Sequence, residues 1–127
     1  MSKKILVVED TEDNRQILRD LLGMAGYEMV EAHDGAQGVA MAAEHKPALI
    51  LMDIQMPVLD GYEATRRIKA DPALASIPIV AVTSYALSGD EAKARAAGCD
   101  DYIAKPYSPR QMLAKVREII GDGESTD

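Results

Sequence analysis

The sequence predicts an α/β fold, a five-stranded parallel sheet with helices on both faces, and three observations carry that prediction. First, short runs of β-type composition at residues 4–9, 27–31, 48–53, 79–83 and 101–105 alternate with stretches whose apolar residues recur at helical spacing. Second, the third run, Leu49-Ile50-Leu51-Met52-Asp53, is apolar on both faces, as a strand in the middle of a parallel sheet must be. Third, the strand-helix alternation is unbroken, and such units wind into one parallel sheet covered on both sides. For (βα)5 units the flavodoxin-like strand order 2-1-3-4-5 follows.

Each element has its own local signature. Strand 1 (KILVVE) leads into a helix beginning near Thr11, with Ile17, Leu18, Leu21 and Leu22 on one face. After strand 2 (YEMVE), Asp34 with Gln37 resembles a capping box opening helix 2, whose face is Ala36, Val39, Ala40 and Ala43. Pro57 and Asp60-Gly61 stop strand 3 just past Asp53. Helix 3 occupies residues 61–70 and ends at Asp71-Pro72. Strand 4 (IVAVT) ends in Thr83, and Ser88 with Glu91 opens helix 4, which stops at Gly98. Strand 5 (DYIAK) ends in Lys105. Ser108, Pro109 and Gln111 supply the N-cap, first-turn proline and N3 partner of helix 5, whose face is Met112, Leu113, Val116, Ile119 and Ile120. Residues 1–121 form one domain and 122–127 a short polar tail after Gly121.

Bulk properties narrow the function classes. A chain of 127 residues is near the commonest domain size and needs no metal or disulfide to hold its core. With no Phe and no Trp the core is aliphatic, and the seven Met and the Ala-rich helix faces belong to it. Cys99, the single cysteine, is small buried filler and suits a reducing compartment. Net charge is −7 with scattered Lys and Arg, so there is no basic stripe or stacking platform for nucleic acid. No stretch approaches a membrane span or a signal sequence, so the expected location is cytoplasmic. His33 and His45 have no second ligand nearby and read as surface residues.

The chemistry lies at the strand ends. Order 2-1-3-4-5 sets strands 1 and 3 side by side at the topological switch point, where open α/β sheets bind ligands. Glu9 and Asp10 then meet Asp53. Three converging carboxylates repel one another, and the usual compensator is Mg²⁺, which takes carboxylates, waters and phosphate oxygens. Lys105 and Thr83 bring an ammonium and a hydroxyl to the same edge. One cation, one lysine and one hydroxyl suit the oxygens of a phosphoryl group, with Asp53 accepting it as an acyl phosphate.

Glu9-Asp10, the block Met52-Asp53-Ile54-Gln55-Met56-Pro57 with Asp60-Gly61, Thr83, and Lys105-Pro106 together make the chain resemble the response-regulator receiver domain, from Lys4 to about Ile120. The resemblance implies a histidine kinase or histidine phosphotransfer protein as donor to Asp53. It implies Mg²⁺ held by Asp10, Asp53 and the backbone carbonyl of Gln55, with Glu9 assisting through water. Lys105 would pair with the phosphoryl group, and the Lys105-Pro106 bond would be cis. Thr83 and Tyr102 would move together on phosphorylation, reshaping the face of helix 4, strand 5 and helix 5 that a downstream protein reads. The Met52-Asp53-Ile54-Gln55 and Gly98-Cys99-Asp100-Asp101-Tyr102-Ile103 blocks look most like single-domain receivers of the DivK type, and nearly as much like receiver modules of hybrid histidine kinases.

Rival chemistries fit less well. An aspartyl-phosphate phosphatase of the haloacid-dehalogenase pattern needs an acid two residues past its nucleophile, where this chain has Gln55. A flavin or nucleotide binder of this topology needs a Gly- or Ser/Thr-rich loop after strand 1, where Glu9-Asp10-Thr11-Glu12-Asp13 would repel a phosphate. The same loop fails as an EF-hand, because Arg15 stands where glycine is required. Gln55 and Tyr85 flank the acyl phosphate and, lacking acid or base function, predict slow loss of the phosphoryl group: a switch rather than a turnover enzyme.

Overall fold

The protein is described from a computed structural model covering residues 3–54, 59–83 and 90–121, the side chains of Asp90 and Glu91 left aside. Its elements run β1 (Lys4–Val8), α1 (Glu12–Met24), β2 (Glu28–Ala32), α2 (Gly35–His45), β3 (Leu49–Asp53), α3 (Gly61–Ala70), β4 (Ile79–Thr83), α4 (Asp90–Ala97), β5 (Asp101–Ala104) and α5 (Pro109–Ile120). All strand pairs are parallel, and the sheet order is β2-β1-β3-β4-β5. The predicted architecture and order are those observed.

Side-chain alternation along the strands splits the aliphatic core in two. Leu6, Val8, Ile50, Met52, Ile79 and Ala81 pack under α2, α3 and α4. Ile5, Val7, Leu49, Leu51, Val80, Val82 and Ile103 pack with Leu18 and Leu22 of α1 and Met112 and Val116 of α5. Period-two alternation is what puts neighbouring residues of a strand in different layers. The capping signals of α5 are realised in full: Ser108 accepts from the Gln111 N–H and the Gln111 side chain accepts from the Ser108 N–H. Asp34 caps α2 by accepting from the Gln37 N–H at 2.7 Å, but the Gln37 carboxamide turns back one residue further, to the His33 N–H. Tyr27, one residue ahead of β2, is buried and its hydroxyl donates to the Gly121 carbonyl at 2.6 Å, tying the end of α5 to the α1–β2 turn.

Three sequence expectations are corrected. The buried face of α2 is Gly35, Gly38 and Ala42, whereas Ala36, Ala40 and Ala43 face solvent and Val39 is half-buried. Alanine is apolar but small enough to sit anywhere on a helix, so it does not mark the core face; the glycines do. A Cβ on Gly38 would stand 2.9 Å from a Val8 methyl, so α2 lies too close to β1 for any side chain there. Ile17 is 55% exposed although it adjoins Leu18 on the helix. Of the methionines, Met52 and Met112 are core, but Met24 at the end of α1 is 90% exposed. Ser88, the expected cap of α4, lies outside the described residues; Gly98 ends that helix with φ +113°.

Candidate functional site

Three strands deliver charged or polar side chains to one edge of the sheet, and alternation sorts them. Glu9 continues the Ile5, Val7 series, Asp53 the Leu49, Leu51 series, and Lys105 follows Ile103, all on the α1/α5 side. β1 and β3 pair directly, with Val8 opposite Met52, so Glu9 falls beside Asp53. Lys105 Nζ stands 3.5 Å from Glu9 Oε1 and 3.5 Å from Asp53 Oδ2, one ammonium between two buried carboxylates. The next residue, Pro106, is joined by a cis peptide bond. Glu9, Asp10 and Asp53 each offer a carboxylate oxygen within 4.8 Å of the others. The sequence-predicted acids are thus brought together.

The electrostatics are those of an under-compensated acidic site. Burial pushes the Glu9 carboxyl above its ordinary range, and the hydrogen-bonded, like-charged Asp53 beside it pushes the same way. Asp10 is exposed, yet partial desolvation and the neighbouring Glu9 raise it too. Burial likewise raises the Tyr107 hydroxyl, with the charges of Glu9 and Asp53 adding to the effect. Lys105 supplies a positive charge facing both Glu9 and Asp53. A compact set of hard oxygen donors with surplus negative charge fits a small divalent cation such as Mg²⁺.

On the opposite layer lie the two residues expected to transmit a signal. Thr83 ends β4 fully buried, and its carbonyl accepts from the Lys105 N–H at 2.7 Å. Tyr102 pairs in register with Ala81 and is half-buried against the α2–α4 layer. The guanidinium of Arg95, on α4, lies 6.0 Å from the centre of its ring. Gln55, including its carbonyl, and Tyr85 lie outside the described residues.

Residues that the sequence analysis did not single out complete the surroundings. Asn14 Nδ2 donates to Glu9 Oε1 at 2.7 Å, and Arg15 donates to the Glu9 backbone carbonyl at 2.7 Å. Ile17, Asn14, Lys105, Pro106 and Tyr107 line a cleft of about 510 Å³ that opens beside the carboxylates. The available cue was an asparagine in the first turn of a helix that starts directly after the acidic strand end, close enough in the chain to reach back to Glu9.

The family model for the response regulator receiver domain matches residues 5–117 of this chain. The chain belongs to the response regulator receiver domain family. It is 42% identical over 122 residues to the polar-differentiation response regulator DivK of Brucella anthropi, covering 96% of this chain and 99% of that protein. Among solved structures, it resembles the receiver domain of a sensor histidine kinase from Pseudomonas aeruginosa, with a magnesium ion coordinated in its active site cleft. The TM-score is 0.89 and the identity 38%, covering 96% of this chain and 100% of that one. The chemotaxis protein CheY4 of Vibrio cholerae matches with TM-score 0.89 and 27% identity over 94% of this chain and 99% of its own. As a receiver, this chain is a phosphoacceptor signalling switch of two-component systems. Among the described residues no helix is long and apolar enough to cross a membrane.

Proposed function

We propose that Asp53 is the phosphoacceptor of this receiver and that a histidine kinase or histidine phosphotransfer protein is the donor. The observation carrying this is the position of Asp53. It is a 5% exposed carboxylate at the end of the central strand, within ion-pair distance of Lys105 and beside two further acids. A carboxylate oxygen of Asp53 attacks phosphorus, the bond from phosphorus to the donor nitrogen breaks, and the electron pair leaves with the imidazole, which takes up a proton. Lys105 stands between two carboxylates in the resting site and offsets charge on the phosphoryl oxygens after transfer. Asp10 and Asp53, with the Gln55 carbonyl and with Glu9 nearby, are the groups that would hold Mg²⁺, which supplies positive charge to the phosphoryl oxygens when bound.

The donor's phosphohistidine-bearing helix is assigned to the cleft lined by Ile17, Pro106 and Tyr107. Its floor includes Lys105, so a helix seated there lies beside Asp53, and exposed Ile17 offers the apolar anchor. Output runs through Thr83 and Tyr102 to the surface of α4, β5 and α5, where a downstream protein binds. Likeness to the receiver of a sensor kinase at 38% identity supports a second setting, a receiver acting within a phosphorelay that starts from a hybrid kinase. The acceptor is tested by labelling with a small acyl phosphate in the presence of Mg²⁺. Wild type takes an acid-stable, base-labile label and Asp53→Asn takes none; full labelling of Asp53→Asn would overturn the assignment.

A further inference from the structure

Glu9 is gripped from α1 at two points. Asn14 donates its carboxamide N–H to Glu9 Oε1 at 2.7 Å, and Arg15 donates to the Glu9 backbone carbonyl at 2.7 Å. Arg15 is itself braced by Glu12 at 2.6 Å and Glu31 at 3.3 Å, so the second grip is anchored to β2 as well as to α1. The other oxygen of Glu9 accepts from the Asp10 N–H at 2.9 Å. Without such donors a glutamate with three free torsions would swing away from the like charge of Asp53. It would also have to lose that freedom each time a cation bound. Lys105 touches the same oxygen only at 3.5 Å, a charge contact rather than an aimed hydrogen bond.

We propose that Asn14 is a positioning residue of the cation site, fixing the carboxylate of Glu9 toward Asp10 and Asp53 before any metal arrives. This rests on the assignment of Glu9, Asp10 and Asp53 to Mg²⁺. A neutral amide is well suited to this role, because it holds the carboxylate oxygen without adding a charge that would neutralise the acids and weaken their hold on a dication. Asn14 is half-buried and lines the cleft, so its side chain is not required to fill the core.

The test is calorimetric titration with Mg²⁺ alone at neutral pH, on wild type, Asn14→Ala, Glu9→Gln and the double variant. Partners that hold metal ligands in place contribute about 10- to 100-fold to affinity, and Asn14→Ala is expected near the low end, about 10-fold weaker. In the Glu9→Gln background the same substitution changes affinity less than about 2-fold, because no carboxylate remains to be positioned. Metal-free Asn14→Ala unfolds in a cooperative transition with the wild-type denaturant slope, which separates positioning from folding. Equal Mg²⁺ affinity in wild type and Asn14→Ala overturns the proposal, as does an equal loss with and without the Glu9 carboxylate. Absence of Mg²⁺ binding by wild type itself overturns the cation site, and the role of Asn14 with it.

Discussion

Gly61→Ala is the substitution that most directly probes how the fold holds Asp53. A Cβ at Gly61 would stand 2.4 Å from the Asp53 carbonyl oxygen and 2.8 Å from the Ile54 Cα, whereas real Cβ contacts stay beyond 3.0 Å. The first turn of α3 and the end of β3 must therefore part by at least about 0.6 Å, and both atoms are backbone, so no side chain can yield instead. Overpacking of this kind costs about 1–3 kcal/mol. The hydrogen bond from Gly61 N–H to the Ile54 carbonyl, 3.1 Å long, is strained in addition, at a cost of up to about 1 kcal/mol. The helix propensity of alanine returns about 0.5–1 kcal/mol. The net expectation is a loss of about 1–3 kcal/mol, read as a lower urea midpoint with unchanged slope. The functional effect should exceed the stability effect, since displacing a reacting group by near 1 Å can cost about 100-fold; a 10- to 100-fold slower labelling by a small acyl phosphate is expected, roughly in proportion. Gly23→Ala is the control: nothing lies within 4 Å of a Cβ there, so it should be neutral or stabilising. A Gly61→Ala protein with wild-type midpoint and wild-type labelling rate would refute the packing account of Asp53.

Two other perturbations address charge and transmission. Hydrogen bonds and charge from Arg19, reaching Glu31 at 2.5 Å, hold the Glu31 carboxyl below its ordinary 4.5. A depressed carboxyl stabilises the fold above that value and loses its contribution as pH falls through the lower folded value. Arg19→Gln should therefore melt below wild type at neutral pH, with the difference closing in acid; a gap that persists at pH 3 would mean the arginine acts by packing. Thr83→Ala should still accept phosphate from a small donor, because Asp53 and Lys105 remain, yet lose most of the roughly 5- to 150-fold change in partner affinity that regulatory coupling supplies. Affinity measured with and without beryllofluoride checks this, and equal gains in both proteins would show that the coupling bypasses Thr83.

Features encoded by short-range periodicity and strand adjacency were legible in the amino-acid chain alone. Five apolar runs separated by helical patterns predicted five βα units in the order observed, and adjacency of strands 1 and 3 brought Glu9 and Asp10 to Asp53, with Thr83 and Lys105 on the same edge. Caps written in two or three residues, as in Ser108-Pro109-Arg110-Gln111, were legible for the same reason: the hydrogen bonds they make are local. Tertiary structure decided the rest, because it depends on how helices lie across strands far away in the chain. The alanines of α2 carry no directional signal, and only the approach to Val8 revealed that Gly35, Gly38 and Ala42 face inward. Ile17 continues an apolar pattern and yet lies exposed, because α1 meets the sheet through Leu18 and Leu22 while its next side chain points over the β5–α5 turn. Asn14 and Arg15 join the site because the crossover lays the first turn of α1 back over the strand ends, and Tyr107 because the β5–α5 turn folds beside Glu9 and Asp53; both placements are set by packing between layers and not by any spacing along the chain.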